Sequence, residues 1–152
     1  EFILTDEEKK ALHLNIGQHI LHEASTTNQH EALLFSFVDH LNLGRSLIKD
    51  EEMLQELRQY NIQAALKSMN VSATQSAQLY AKIAHELLPN DYWKVAFQET
   101  STIYSLLASI EMDSHHYERA AILQETLLDH TKKETPEDTA NILRLIAYLL
   151  RA

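Results

Sequence analysis

Two glycines, two prolines and no cysteine in 152 residues rule out a good deal before any motif is sought. Hairpin-rich β folds consume turn residues, so their scarcity here leaves long helices joined by few turns. Without cysteine there is no disulfide and no thiolate zinc site, and a reducing, cytoplasmic setting is the expectation. No run of about 18 apolar residues occurs, so no membrane-spanning helix is expected, and no secretory leader is read at the start. Basic residues are few and scattered, 13 Lys and Arg against 22 Asp and Glu. The resulting net charge of −9 repels phosphate backbones and anionic membrane surfaces alike, so neither nucleic acid nor membrane insertion is expected. There is no phosphate-cradling G-x-x-x-x-G-K-S/T, no kinase glycine loop, H-R-D or D-F-G, and no G-x-S-x-G elbow. No catalytic, cofactor-binding or metal-ligating residue is therefore assigned.

What the chain does have is apolar residues, 45% of the total, spaced for helices. Seven helical segments can be read from their starts, stops and periods. Thr5 and Glu8 form a capping box, with Asp6 and Glu7 at the positive end of the helix dipole. Leu12, Ile16, Ile20 and Ala24 follow on one face to about Ser25. Gly17 costs about 1 kcal/mol inside a helix, which points to a close backbone approach by a neighbour. Asn28 is expected to cap the second helix, which carries Leu34, Phe37, Val38 and Leu41 and ends at Gly44 as a left-handed terminator. A third helix runs from Asp50 to about Met69. Ser72 and Gln75 read as a capping box for a fourth, stopped by Pro89. The fifth is expected to be continuous from Asn90 or Asp91 through Trp93, Phe97, Ile103, Leu107 and Ile110. The sixth runs from His115 to about Thr131. Thr135 and Pro136 open a seventh, with Leu143, Ile146, Ala147 and Leu150 on its face.

The odd-numbered helices start near Thr5, Asp50, Asn90 and Thr135, a spacing of roughly 40 to 45 residues that suits helical-hairpin repeats. The expected hairpins cover about 5–44, 50–88 and 91–131, with a half repeat at 136–151. Ala64-Ala65 and Leu107-Ala108 precede Ala77 and Ala120 by the offsets that let tetratricopeptide helices approach closely. The expected fold is all-α: seven helices in antiparallel hairpins, forming a tetratricopeptide-like, right-handed superhelical array. It is read as one module, 1–152. The chain opens at Glu1-Phe2 and ends at Arg151-Ala152 directly after an apolar helical stretch, and it is expected to be a fragment of a longer chain.

Several stretches carry a family resemblance: His13-Leu14-Asn15-Ile16-Gly17, Leu34-Phe35, Asp39-His40-Leu41-Asn42-Leu43-Gly44, Asn61-Ile62-Gln63-Ala64-Ala65-Leu66-Lys67, Ser76-Ala77-Gln78-Leu79-Tyr80 and Leu87-Leu88-Pro89-Asn90-Asp91-Tyr92-Trp93. From about Thr5 to Thr131 the chain resembles the helical region of large multidomain signalling proteins. In those, a serine/threonine-kinase-like domain and an AAA-type ATPase precede the helices, and a GAF domain and a sensor histidine kinase often follow. Ala65 stands where a glycine is expected. The resemblance implies a signal-transduction fragment and carries no catalytic residue onto this chain.

Nine histidines are the main chemical lead. His19 and His22 lie three apart beside Glu23, a spacing that could share a metal, but a third and fourth ligand are needed and the pair is read as hydrated surface. His40 suggests a phosphoacceptor, yet lacks an H-box context and is read as a partly buried helix contact. His115-His116 are read as turn residues. Tyr92, Trp93 and Phe97 are the candidate interaction residues, because Trp and Tyr dominate binding hot spots. Packing between repeats would use them equally well. Three functions stay open: a non-catalytic signal-relay module binding neighbouring domains or a protein or peptide partner, a small-effector-sensing domain, and a stand-alone scaffold or adaptor. A homodimer through helix seven is a further expectation.

Overall fold

A computed structural model describes residues 3–133 and, beyond them, Pro136, Glu137, Ala140 and Arg144. Those four are helical; the rest of the expected helix seven, with its apolar face and its dimer, lies outside the described residues. The described residues form seven helices and no strand. They are α1 (Asp6–Thr27), α2 (His30–Leu43), α3 (Glu51–Asn70), α4 (Thr74–Glu86), α5 (Tyr92–Val95), α6 (Phe97–Asp113) and α7 (Tyr117–Thr131), with a 3-10 turn at Arg45–Leu47. None of these helices is long and apolar enough to cross a membrane. The chain divides into two compact units, 1–64 and 65–152.

The first helix starts as its sequence dictates. The Thr5 hydroxyl accepts from the Glu8 amide at 3.2 Å, and Glu8 Oε2 accepts from the Thr5 amide at 2.7 Å. The Thr5 amide and the Thr5 hydroxyl, the latter at 2.9 Å, both donate to Glu8 Oε2 and hold the Glu8 carboxyl below its ordinary pKa. In the first unit α1 packs on α2. Leu41 of α2 presses against Gly17: a Cβ there would lie 2.9 Å from the Leu41 backbone nitrogen. The expected close approach is therefore real. Leu12, expected on the inner face of α1, is 47% exposed, whereas Ala24 is fully buried.

Asn28 does not cap α2. It ends α1 in the left-handed conformation, φ 55°, and its N–H donates to the Ala24 carbonyl. Gly44 is not left-handed either, with φ −98°. It is small because a Cβ would meet the Lys10 carbonyl oxygen at 2.7 Å. The capping box expected at Ser72 is also absent; Ser72 is left-handed, φ 58°, and Ala73 precedes α4 without a side-chain cap. The fifth segment is not continuous. It breaks at Ala96, φ −139° and ψ 46°, into α5 and α6. The sixth segment starts two residues late, because His115 is left-handed, φ 60°.

These departures form one pattern. Asn28, Ser72 and His115 are left-handed, 44 and 43 positions apart. The residue after each donates its amide to the carbonyl five positions earlier: Gln29 to Ala24 at 2.9 Å, Ala73 to Ser68 at 2.8 Å, His116 to Glu111 at 2.8 Å. That is the Schellman closure of a helix C-terminus. All three acceptor residues are buried. The chain thus repeats one turn without glycine, and places both of its glycines where helices touch. Ser72→Gly and His115→Gly remove the steric penalty on a left-handed L-residue, so each is expected to raise stability by about 0.5–1 kcal/mol despite glycine's greater unfolded entropy. Denaturant midpoints measure this, and a loss at both sites would contradict the shared turn.

Candidate functional site

The first unit holds a polar seam between neighbouring helices. The side-chain amides of Asn42 and Asn61 exchange two hydrogen bonds of 2.8 Å, and Asn61 also donates to the Leu57 carbonyl at 2.9 Å. Both are buried, 5% and 0% exposed. Nearer solvent, His13 and His40 face each other with Nδ1 atoms 2.9 Å apart and ring centroids 5.1 Å apart. Only one of the two nitrogens can supply the proton of that bond. His40 is thus part of a helix contact, as the sequence suggests, but its partner 27 residues away is not legible in the sequence. His19 and His22 are exposed. Among the described residues no three His, Cys, Asp or Glu side chains converge as metal ligands would.

In the second unit α4, α6 and α7 enclose a cleft of about 540 Å³. Tyr104, Leu107, Ile122 and Leu123 give it an apolar lining, and Lys82, His85, Glu86, Glu111 and Arg119 supply the polar groups. The helices converge on small buried residues: Ala77, Ala81 and Ala84 on α4, Ala108 on α6 and Ala120 on α7. Glu111 is 8% exposed and already engaged, accepting from Gln78 Nε2 at 3.3 Å and lying 2.8 Å from His116 Nδ1. Glu86 is not free either. Lys82 and Arg119 are exposed and form no ion pair with a described residue.

Behind the cleft lies an aromatic cluster. Tyr92, Trp93 and Phe97, singled out in the sequence, are brought together, with Trp93 6.0 Å from both Tyr92 and Phe97. All three are half-buried, neither core nor open surface. The structure adds members the sequence did not flag. Tyr104 lies 4.8 Å from Trp93 by ring centroid, and His130 stacks on Trp93 at 4.0 Å and 11°. His85 packs 5.5 Å from Tyr104 and 5.7 Å from Tyr92. The Tyr92 and Tyr104 hydroxyls are 3.2 Å apart. The break at Ala96 makes this possible, since a continuous helix would carry Tyr92 and Thr100 along one rod. Instead the buried Thr100 donates its hydroxyl back to the Tyr92 carbonyl at 3.2 Å.

Burial and the Tyr92 hydroxyl push the Tyr104 phenol well above the ordinary tyrosine range, and burial with Glu56 nearby raises Tyr60. Burial lowers His85, with Glu86 pulling the other way. Around neutral pH the cluster therefore presents a protonated Tyr104 hydroxyl and a neutral His85 imidazole. For stability the signs follow directly. Unfolded histidine binds its proton near pH 6.5, while folded His85 does so only at lower pH. Its stabilisation is full above about pH 6.5 and is lost as the pH falls through the folded value. For Tyr104 and Tyr60 it is full below about pH 10 and lost as the pH rises past it. Tyrosinate absorbance should show Tyr60 and Tyr104 ionising above the ordinary tyrosine range, and Tyr60→Phe and Tyr104→Phe should each remove one late-ionising phenol. His85→Phe should flatten the decline of the denaturant midpoint between pH 7 and 5. An unchanged slope would remove His85 from this role.

Compared with known proteins, the chain matches no family model, no curated protein and no solved structure.

Proposed function

We propose that this chain is a non-catalytic interaction and signal-relay module, a tetratricopeptide-like stack of helix hairpins within a larger signalling protein of the ATPase and sensor-kinase kind. The observation that carries the reading is the recurrence of one Schellman turn at Asn28, Ser72 and His115. Around the last two turns, small residues recur in register: Ala65 and Ala77 are twelve apart, as are Ala108 and Ala120, and all four are buried. Tetratricopeptide helices use that pair of positions for close approach. Repeated hairpins of this kind serve as binding surfaces, because each unit leaves a face for a neighbour or a partner. Relay then requires that a partner bind two arrangements of the adjoining domains unequally.

The test is direct. The folded chain should capture a neighbouring domain of its parent protein in a pull-down with purified components, at micromolar affinity or better. A helical, monodisperse chain that captures none of those domains would sink the proposal.

A further inference from the structure

One five-residue segment occurs twice in the first unit. His13-Leu14-Asn15-Ile16-Gly17 of α1 returns 27 residues later as His40-Leu41-Asn42-Leu43-Gly44, at the end of α2. The two copies meet each other. A Cβ on Gly17 would lie 2.9 Å from the backbone nitrogen of Leu41, and a Cβ on Gly44 would lie 2.9 Å from that of Leu14. Each glycine thus grips the residue that follows the other copy's histidine, a reciprocal contact of the kind a two-fold axis makes. The grips hold the backbones of both histidines, whose Nδ1 atoms face each other 2.9 Å apart. Neither helix can slide without a main-chain atom striking its neighbour, so the two nitrogens are preorganised on rigid elements. Both rings are half-buried and reach water. Two imidazole nitrogens bound to one ion at about 2.0–2.1 Å stand about 2.9 Å apart at a right angle and about 3.4 Å apart at the tetrahedral angle. The observed separation is the right-angle value. It is also the length of an ordinary N–H···N bond, and the experiment below separates the two.

We propose that His13 and His40 form a two-imidazole site for a divalent transition-metal ion with right-angle ligands, nickel(II) or copper(II), with water at its other positions. Zinc(II) in proteins prefers the tetrahedron and fits the spacing less well. Each ring binds the ion through Nδ1 and carries its proton on Nε2. In the hydrogen-bonded pair the accepting ring already has that tautomer. The donating ring moves its proton from Nδ1 to Nε2, so two neutral rings release no proton when the ion enters. Both rings turn about their Cβ–Cγ bonds until the two lone pairs meet at one point. The net charge of −9 favours a cation. Two protein ligands make a micromolar site and not a structural metal centre, in keeping with the absence of a three-residue ligand cluster among the described residues. A bound ion clips α1 to α2 and stabilises the folded chain by mass action. The inference is independent of the interaction-module reading.

The experiment titrates the full chain with nickel(II), using magnesium as a control. Calorimetry should give one ion per chain at micromolar affinity, weaker in acid because protons compete for the same two nitrogens. The urea midpoint should rise with free nickel and not with magnesium. His13→Asn and His40→Asn keep an amide where Nδ1 stands. Each should weaken binding at least tenfold and cancel the effect of nickel on the midpoint. His19→Ala/His22→Ala removes the exposed pair elsewhere on α1 and should leave both readings unchanged. Circular dichroism checks that the variants fold. A second reading needs no variant: substoichiometric copper(II) should broaden the ring NMR signals of His13 and His40 in the unmodified chain before those of any other histidine. Nickel binding that survives both asparagine variants, that vanishes with His19→Ala/His22→Ala, or that needs millimolar metal overturns the proposal. So does broadening that begins at another histidine, or zinc(II) binding more tightly than nickel(II).

Discussion

Replacing Gly17 with valine is expected to cost about 3 kcal/mol, the upper part of the range for overpacking a closed contact. The new Cβ would stand 2.8 Å from Leu41 Cγ and 2.9 Å from the Leu41 backbone nitrogen. The Leu41 side chain can rotate away, but a backbone nitrogen within α2 cannot move without shifting the helix. Alanine isolates that second term. It carries the same Cβ and gains about 1 kcal/mol of helix propensity over glycine, so a net loss on Gly17→Ala must come from the approach of α2. Thermal or urea unfolding of the three proteins decides it. If Gly17→Ala is as stable as the parent, the contact is softer than described and the valine cost will shrink with it.

Asn61→Leu is expected to cost a similar amount, about 3 kcal/mol, by a different route. Leucine has nearly the shape of asparagine, so little packing is lost. Instead Asn42, only 5% exposed, would keep a desolvated amide whose donor and acceptor have both lost their partner. Leaving a buried polar group unmet costs more than making the bond gains. The double variant Asn42→Leu/Asn61→Leu removes both halves and should recover most of the loss. A double-mutant cycle therefore has a predicted sign, with coupling of about 2 kcal/mol in favour of the pair over the singles. If the double variant falls by the sum of the two single losses, the amides act independently and the seam is not a pair. Between α2 and α3 this pair also fixes register, since a helix slipped by one turn would strand both amides.

The sequence was most legible where a local rule had one physical outcome. The Thr5-Glu8 box could only start a helix, and a glycine in mid-helix at position 17 could only mean proximity. It was least legible where one residue type serves two opposite ends. Asn and Ser cap helix starts through their side chains, and Asn in particular tolerates the left-handed backbone at helix ends. Asn28 and Ser72 therefore look like helix starts in the sequence, whereas each closes the helix before it. Nothing in the residues around Ala96 signals a break: no proline or glycine stands there, and the interruption arises where Tyr92, Trp93 and Thr100 pack. The partners His13 and His40, 27 residues apart, and Asn42 and Asn61, 19 apart, depend on how helices align, which periodicity alone does not give. The cleft was hidden for the same reason. Lys82, Glu111 and Arg119 sit on three helices, and each alone reads as a solvated charge.

Trp93 is the chain's single tryptophan, and it lies flat against His130 of α7 at 4.0 Å. An indole in contact with an imidazole is a dimmed fluorophore, so the protein comes with its own optical gauge at one known spot. Emission from the native chain reports the surroundings of α5, where Trp93 meets His130 of α7 at 4.0 Å and Tyr104 of α6 at 4.8 Å. Brightening before global unfolding would record α7 lifting from its neighbour, and stopped-flow traces would time that motion without any added dye.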